Sequence, residues 1–317
     1  MKKYLLSLLC SSVITIAMGQ EREFKNEFGF KSDNDSYLFY GQDRYYTNGL
    51  FIYFRQATDQ QKNSPAIEKK VFEISVGQKM FNPYSGQAPD PALHDRPFAG
   101  YLYGGFAYSW FFKNESVLKG EFQIGTIGPS SLAEDGQELL HNLVGFYEVE
   151  GWDYQIRNAI GLNASVQYTR LLHRASNQHT DFSFDGNASV GTTFNSAGAG
   201  ILFRAGKINQ LFNSAITNSV VINKSSTKKR LNSEFFFYAK PQLNLIAYDA
   251  TVQGGITDNN SPVTFDVKPV VFSQLLGINY STSRFTIDYS VIFKTKEIKS
   301  TAKGHQYGSI SMYYRFN

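Results

Sequence analysis

Apolar and polar residues alternate in short stretches along the whole chain. At positions 285–291 the odd positions are apolar and the even positions are polar, and positions 160–169 and 309–316 follow a similar pattern. A period of two predicts β-strands with one apolar face and one polar face. The pattern predicts about twelve strands, at 23–32, 45–57, 68–79, 99–112, 116–127, 156–172, 179–190, 195–206, 233–246, 266–281, 284–295 and 305–316.

The aromatic content decides between two kinds of β-protein. The chain has 27 Phe and 20 Tyr but only 2 Trp, and such an excess is typical of aromatic girdles at the two interfaces of a membrane. The alternative is a soluble β-sandwich, which needs a second apolar layer to cover the first, and no such layer is evident. The sequence therefore predicts an all-β, transmembrane antiparallel β-barrel with an even number of strands and both termini at the periplasmic side.

The N-terminus predicts a secreted protein. Residues 1–19 combine Lys2 and Lys3, an apolar run, and a small-residue cleavage site, which together indicate a signal peptide. The apolar run is too short for a membrane-spanning helix. Cys10 lies inside that run, which favours a signal peptide over a lipoprotein anchor, and the chain has no other cysteine. We therefore expect one barrel domain at 20–317.

Net charge and mean hydropathy limit the classes of partner and of fold. The formal net charge is +4, which is too small to favour nucleic acid as a partner. The mean hydropathy is negative, which argues against a helical membrane bundle but suits a barrel with a polar interior. We expect a monomer in the outer membrane of a Gram-negative bacterium.

Several connections are too long for simple turns, and loops on a rigid scaffold often carry function. The first three of them lie on the extracellular side if the first strand runs outward. The long connections are 32–45, 80–98, 128–155, 207–232 and 247–265. The connection at 207–232 leaves room for a further strand. The connection at 128–155 contains a predicted helix at 133–144, on which Gln137 and His141 are neighbours one turn apart. Its apolar stripe is Leu139, Leu140, Leu143 and Val144.

Polar residues are dense where the first strand ends and the second begins. Asp33 and Ser36 are explained by turn chemistry. Asn34, Asp35 and Thr47 fall at the same end of paired strands, so their side chains can converge. A carboxylate, an amide and a hydroxyl can bind a hard cation, with Asp35 as the metal ligand, or orient a water and an oxyanion.

His141 is the candidate general base among five histidines, although a lone histidine is more often structural. We expect His173, His179 and His305 to be solvated, and His94 has no evident partner. The sequence contains no Gly-x-Ser-x-Gly elbow. It also contains no His-Glu-x-x-His zinc motif and no cysteine pair.

The first half of the chain carries a set of short motifs. The motifs are Asn34-Asp35, Asp43-Arg44, Tyr46-Thr47-Asn48-Gly49, Asp95-Arg96-Pro97-Phe98-Ala99-Gly100-Tyr101, Gly125-Thr126-Ile127-Gly128-Pro129, Gln137, His141 and Trp152-Asp153-x-Gln155-Ile156. Together they resemble the outer-membrane lipid A 3'-O-deacylases. The spacing from Pro129 to His141 is the most specific feature. The resemblance follows the mature chain in order.

The resemblance implies a twelve-stranded barrel with His141 as the catalytic histidine and Asn34, Asp35 and Thr47 at the other functional positions. Some family members carry a Lys-Arg pair in the loop equivalent to 80–98, which is thought to meet the sugar phosphate, and this chain lacks the pair. The chain offers other residues for substrate binding. We expect these to be Arg44, Arg96 and Gln137.

The hypothesis is hydrolysis of the 3'-linked ester of lipid A, or lipopolysaccharide, in the outer leaflet. His141 would activate a water, and calcium would stabilise the oxyanion. Two alternatives stay open. An outer-membrane phospholipase needs a serine nucleophile beside His141, and a pore or adhesin needs no catalytic histidine.

Overall fold

Twelve antiparallel strands close into a barrel, in which β1 pairs with both β2 and β12. The computed structural model describes residues 23–38, 43–223, 230–257 and 260–317. The expected signal peptide at 1–19 lies outside the described residues. The strands are β1 Asn26–Asn34, β2 Tyr45–Ala57, β3 Ile67–Asn82, β4 Ala99–Phe112, β5 Ser116–Ile127, β6 Ala159–Arg174, β7 Thr180–Gly191, β8 Phe194–Lys207, β9 Ser233–Asp249, β10 Val270–Thr282, β11 Phe285–Lys294 and β12 His305–Phe316.

The predicted fold class is confirmed, and the strand count agrees with the period-two pattern. Helix α1 spans Ala133–Val144, as predicted, and a single turn of helix, α2, spans Ala250–Gln253. Strand ends differ from the prediction by a few residues: β3 runs on to Asn82, and β10 begins only at Val270. No helix in the described part of the chain is long and apolar enough to cross a membrane.

The barrel wall separates an apolar outer surface from a charged interior. Outward side chains such as Ile124 and Ile160 are exposed, as lipid-facing residues are. Inside, Arg55 forms ion pairs with Glu27 and Glu73 from the two neighbouring strands. A buried charge needs a partner of this kind, because an uncompensated one is strongly destabilising.

The connection between β8 and β9 fills the lumen at the end that carries both termini. Its described residues form two short 3-10 turns, Leu211–Asn213 and Ala215–Thr217, and no strand. Leu211 and Phe212 pack against inward-facing side chains of β2 to β5. Termini face the periplasm in barrels of this type. We call this segment, residues 208–223, the periplasmic plug.

At the opposite end, α1 packs on the outside of the barrel. Along β3, Lys79 and Phe81 line the lumen, so Gln78 and Met80 between them point outward. Gln78 Nε2 donates to the carbonyl of Ser131 at 2.7 Å, just before α1. The helix therefore lies against the outer wall at the extracellular rim.

Candidate active site

His141 faces the barrel wall from the last turns of α1 and is buried. Its Nδ1 lies 2.8 Å from the carbonyl oxygen of Tyr147. A carbonyl only accepts hydrogen bonds, so Nδ1 carries the proton and Nε2 holds the lone pair of the neutral ring. Nε2 lies 3.3 Å from Asp43 Oδ2. The fold thus sets the tautomer that a general base needs and places a carboxylate beside it.

Asp43 is surrounded by hydrogen-bond donors. Asn82 Nδ2 and Gln137 Nε2 each donate to the carboxylate at 3.0 Å. Tyr147 Oη and Thr47 Oγ1 donate as well. Burial raises the pKa of Asp43, but the hydrogen bonds from the protonated His141 ring, from Thr47 and from Tyr147 outweigh it, and the net pKa is lowered. Asp43 is therefore held in its ionised form.

The charge on Asp43 acts on His141 in turn. Burial lowers the pKa of the imidazole, whereas the hydrogen bonds to Asp43 and to the Tyr147 carbonyl raise it, and the net pKa lies above the usual value. An imidazolium formed during a reaction would be stabilised in the same way. The pair has the character of a base with an anionic partner.

Asp35 is the second carboxylate of the site. It follows β1 directly, is buried, and accepts the backbone N–H of Arg44 at 2.9 Å. Burial, and after it the nearby charge of Asp43, raise the pKa of Asp35 to about 8, against the opposing bond from Arg44. The pKa of Asp35 is thus raised while that of neighbouring Asp43 is lowered. Such a divergence is common at functional sites.

Calcium, expected from the mechanism hypothesis, fits this chemistry. The described residues contain no group of three or more histidine, cysteine, aspartate or glutamate side chains arranged for a metal. Calcium binds oxygen ligands of every kind, including amides and water. A cation beside Asp35 would relieve the repulsion from Asp43 that raises the pKa of Asp35. Asp35 is the carboxylate that would hold it, with oxygen atoms of Asn34 and Thr47 nearby.

Comparison with known proteins identifies the family. A family model described as "Outer membrane protein LpxR" matches residues 5–316. The chain belongs to the LpxR family. This confirms the resemblance to the lipid A 3'-O-deacylases and the expected location in the outer membrane.

Solved structures agree with the family on the fold. LpxR from Salmonella typhimurium superposes with a TM-score of 0.71 at 19% identity, covering 92% of this chain and 100% of that chain. The β-domain of the Bordetella autotransporter Brka gives 0.51 at 9% identity, covering 93% and 100%. Likeness at these identities shows the fold alone. No curated protein sequence matches the chain.

Three of the predicted site residues of this LpxR family member come together as expected. Asn34 ends β1, Asp35 follows it, and Thr47 lies beside them in β2. The register of β2 against β3 shifts between Tyr46 and Asn48, so Thr47 occupies an irregularity in the ladder. Thr47 Oγ1 lies 3.5 Å from Asp35 Oδ1 as well as donating to Asp43. The hydroxyl bridges the two carboxylates.

The three residues expected to bind substrate are placed differently. Gln137 is fully buried, and its amide joins Asp43 to the Trp152 indole, so its position suits holding Asp43. Arg96 lines the lumen, with its guanidinium 4.1 Å from the Phe81 ring centroid, on the other side of the wall from His141. Arg44 lies over the Tyr45 ring, beside the site. Their contact with substrate stays a prediction.

The sequence patterns predicted no role for Asp43, Asn82 or Tyr147. One signal for Asp43 was present, because it lies four residues before Thr47 at the same rim and begins a quoted motif. His305 was also misplaced: it is buried against Tyr45 and is not solvated. No pattern in the sequence pairs residues as distant as Asp43 and His141.

Proposed function

We propose that this LpxR family member is a lipid A 3'-O-deacylase that hydrolyses the 3'-linked ester acyl (acyloxyacyl) group of lipid A in the outer leaflet. Family membership supports a lipid A deacylase at the level of the family. The observation that carries the proposal for this chain is the His141–Asp43 pair between α1 and the outer wall. A base at that place adjoins lipid and not the lumen.

His141 acts as the general base. Its Nε2 takes a proton from a water, whose oxygen attacks the ester carbonyl carbon. The carbon–oxygen bond to the sugar then breaks, and the proton passes from Nε2 to the departing 3' oxygen. The products are a free carboxylic acid and a 3'-hydroxyl group. Asp43 stays ionised throughout and stabilises the imidazolium between the two steps.

The rim residues hold the reactants. Asn34 and Thr47 orient the water and the ester, and Asp35 supplies negative charge for a cation. Calcium, when bound there, adds positive charge near the oxyanion, an effect of the kind worth about 3 kcal/mol of barrier per fixed donor. Each of these roles rests on position at the same rim as the His141–Asp43 pair and on the chemistry of the side chain.

Two other functions have less support. A serine-dependent phospholipase needs a serine hydroxyl bonded to its histidine, whereas the ring nitrogens of His141 lie against Asp43 and Tyr147. A pore needs an open lumen, whereas the periplasmic plug fills one end of this barrel. Lipid A deacylation is therefore the function with the most support.

The test is mass spectrometry of lipid A from cells that express the chain or its His141→Ala variant. We expect loss of the mass of a 3'-linked acyl or acyloxyacyl group with the native chain alone, and no loss when a calcium chelator is added to isolated membranes. His173→Ala serves as the matched control, because His173 lies at the end of β6 that is far from the extracellular rim. Unchanged lipid A from a folded native barrel would overturn the proposal, and release of acyl groups from phospholipid would favour the phospholipase.

A further inference from the structure

Helix α1 leaves large apolar side chains uncovered. Leu139 is 61% exposed and Leu143 is 73% exposed, and Leu132, directly before the helix, is 55% exposed. The apolar stripe expected from the sequence is therefore split, because Leu140 alone of its described members packs towards the core. Exposed leucines one turn apart mark a contact surface. We call Leu132, Leu139 and Leu143 the leucine edge.

The rest of the exposed helix surface is polar. Asp135, Glu138 and Asn142 are exposed and lie one turn apart from each other. They form a second edge, which we call the polar edge. The buried face of the helix, with Gln137 and His141, lies between the two edges and against the barrel. Such a division into a wet side and an apolar side is typical of a helix that lies at a membrane interface.

Packing of the helix shows which edge faces the membrane interior. Strand β3 rises from the periplasmic end to the rim at Asn82, so Gln78 lies deeper in the membrane than Asn82. Gly136 packs on Gln78 and Met80, because a Cβ built at Gly136 would lie 2.7 Å from Met80 Cε. The leucine edge shares the side of Gly136, since Leu139 and Leu143 follow it at three and seven residues.

The leucine edge is also continuous with the lipid-facing wall. Outward side chains on the strands below and beside the helix, among them Val76, Ile124 and Ile160, are about half exposed or more. This wall is the surface that an outer-membrane barrel presents to hydrocarbon. The helix extends that surface outward at the rim.

We propose that the leucine edge of α1 is a membrane-contact surface, seated in the hydrocarbon of the outer leaflet while the polar edge faces water. The surface fits lipid acyl chains, and it holds His141 at the boundary between acyl chains and headgroups. Ester bonds of lipids lie at that boundary. An interfacial helix of this kind sits about 5–10 Å into the headgroup and acyl region.

The test measures depth directly and needs no enzyme activity. Cys10 is the chain's single cysteine, so it is changed to Ser in every variant, and one new cysteine is introduced as Leu143→Cys or as Asn142→Cys. Each carries a bimane fluorophore in phosphatidylcholine vesicles that contain lipids with a nitroxide near the top of the acyl chain. We expect a blue-shifted, strongly quenched probe at position 143 and a water-exposed, weakly quenched probe at position 142.

The result that overturns the proposal is equal quenching at the two positions, or none at 143, in barrels that retain heat-dependent migration on gels. The neighbouring positions make the comparison strict, because they are adjacent along the helix and differ in which edge they occupy.

A kinetic measurement, which rests on the proposed function, tests whether the leucine edge brings His141 to lipid A that lies in a bilayer. We expect the Leu139→Ser, Leu143→Ser double variant to lose about tenfold in rate on lipid A in bilayer vesicles. The rate on lipid A in detergent micelles stays unchanged, and Glu138→Ser, Asn142→Ser is the control. Equal loss of rate in vesicles and in micelles would overturn this role of the leucine edge in a bilayer. Absence of activity in the native chain would instead count against the proposed deacylase function.

Discussion

Two clusters of buried charged side chains, one at each end of the barrel, balance their charges in opposite ways. At the periplasmic end, Arg204 donates through Nε and Nη2 to Asp181 at 3.0 and 2.6 Å, and a third residue, Arg174, shares that carboxylate. At the extracellular rim, Asp35 and Asp43 lie together, and among the described residues neither has a lysine or arginine ion pair. Paired charges hold a fold, whereas neighbouring carboxylates create a place for a proton or a cation.

The plug completes the bonding of Arg204, whereas at the rim the surroundings shift the pKa values of two carboxylates. The plug supplies further acceptors for Arg204, since Ser214 Oγ and the Asn209 carbonyl oxygen accept hydrogen bonds from its guanidinium. The rim leaves Asp35 with a pKa of about 8 and Asp43 with a lowered pKa. Four predictions test whether the rim serves chemistry and the plug serves stability.

The largest effect is expected from Asp43→Asn. The change removes the charge that stabilises an imidazolium at His141, so the rate of lipid A deacylation should fall by about 10²- to 10⁴-fold, the contribution of a general base. The rate is measured by release of fatty acid from lipid A, with folding checked by heat-dependent gel migration. Asp90→Asn, an exposed capping residue in another extracellular loop, is the control. A folded Asp43→Asn barrel with the native rate would remove Asp43 from the mechanism.

A change at Arg204, the β8 residue that bonds to the plug, should lower stability and leave the rate of deacylation unchanged. Arg204→Met breaks a fully buried ion pair, which should lower the free energy of unfolding by about 3–5 kcal/mol. The rate per folded molecule should stay unchanged, because the plug lies at the other end of the barrel. Urea unfolding in detergent measures the first quantity, and Lys207→Met on the exposed end of the same strand is the control. A reduced rate in folded Arg204→Met would show that the two ends are coupled.

The sequence predicted the wall of this barrel well because one local rule governs it. Alternation along each strand decides which side chains face lipid, and the bounds of α1 follow from its own apolar spacing. The rim was predicted in part for the same reason: Asn34 and Thr47 lie on strands paired in a hairpin, with Asn34 opposite Asn48.

Non-local contacts escaped prediction. Asp43 meets His141 because α1 folds back over the wall, and this depends on a glycine-sized gap against Met80 and on the bonds from Gln78. The plug belongs to the connection at 207–232, which was expected to leave room for a strand. It instead satisfies its polar groups inside the lumen, where Lys69 Nζ bonds Asn213 Oδ1 at 3.1 Å. Alternation says nothing about either contact.

The third prediction concerns Asp35. Asp35→Asn removes the carboxylate that would bind calcium, so the rate should fall by about 10²- to 10³-fold, the effect of losing one oxyanion stabiliser. The residual rate should no longer respond to calcium or to chelator. A thermal shift on adding calcium gives an independent reading of binding, since a ligand stabilises the state that it binds. Asp153→Asn is the control, and a calcium response that survives in Asp35→Asn would move the metal elsewhere.

The smallest effect is expected at Tyr147, and it separates the roles of its two groups. The Tyr147 carbonyl fixes the His141 tautomer, while its hydroxyl donates to Asp43. Tyr147→Phe removes the hydroxyl alone, and a hydrogen bond to a charged group is worth about 1.5 kcal/mol, or roughly tenfold in rate. The control is Tyr154→Phe, a partly exposed tyrosine beyond the helix. Loss as large as that of Asp43→Asn would mean that the hydroxyl itself contacts the reacting ester. An unchanged rate would contradict the prediction and would mean that the donors from Thr47, Asn82 and Gln137 suffice to hold Asp43 ionised.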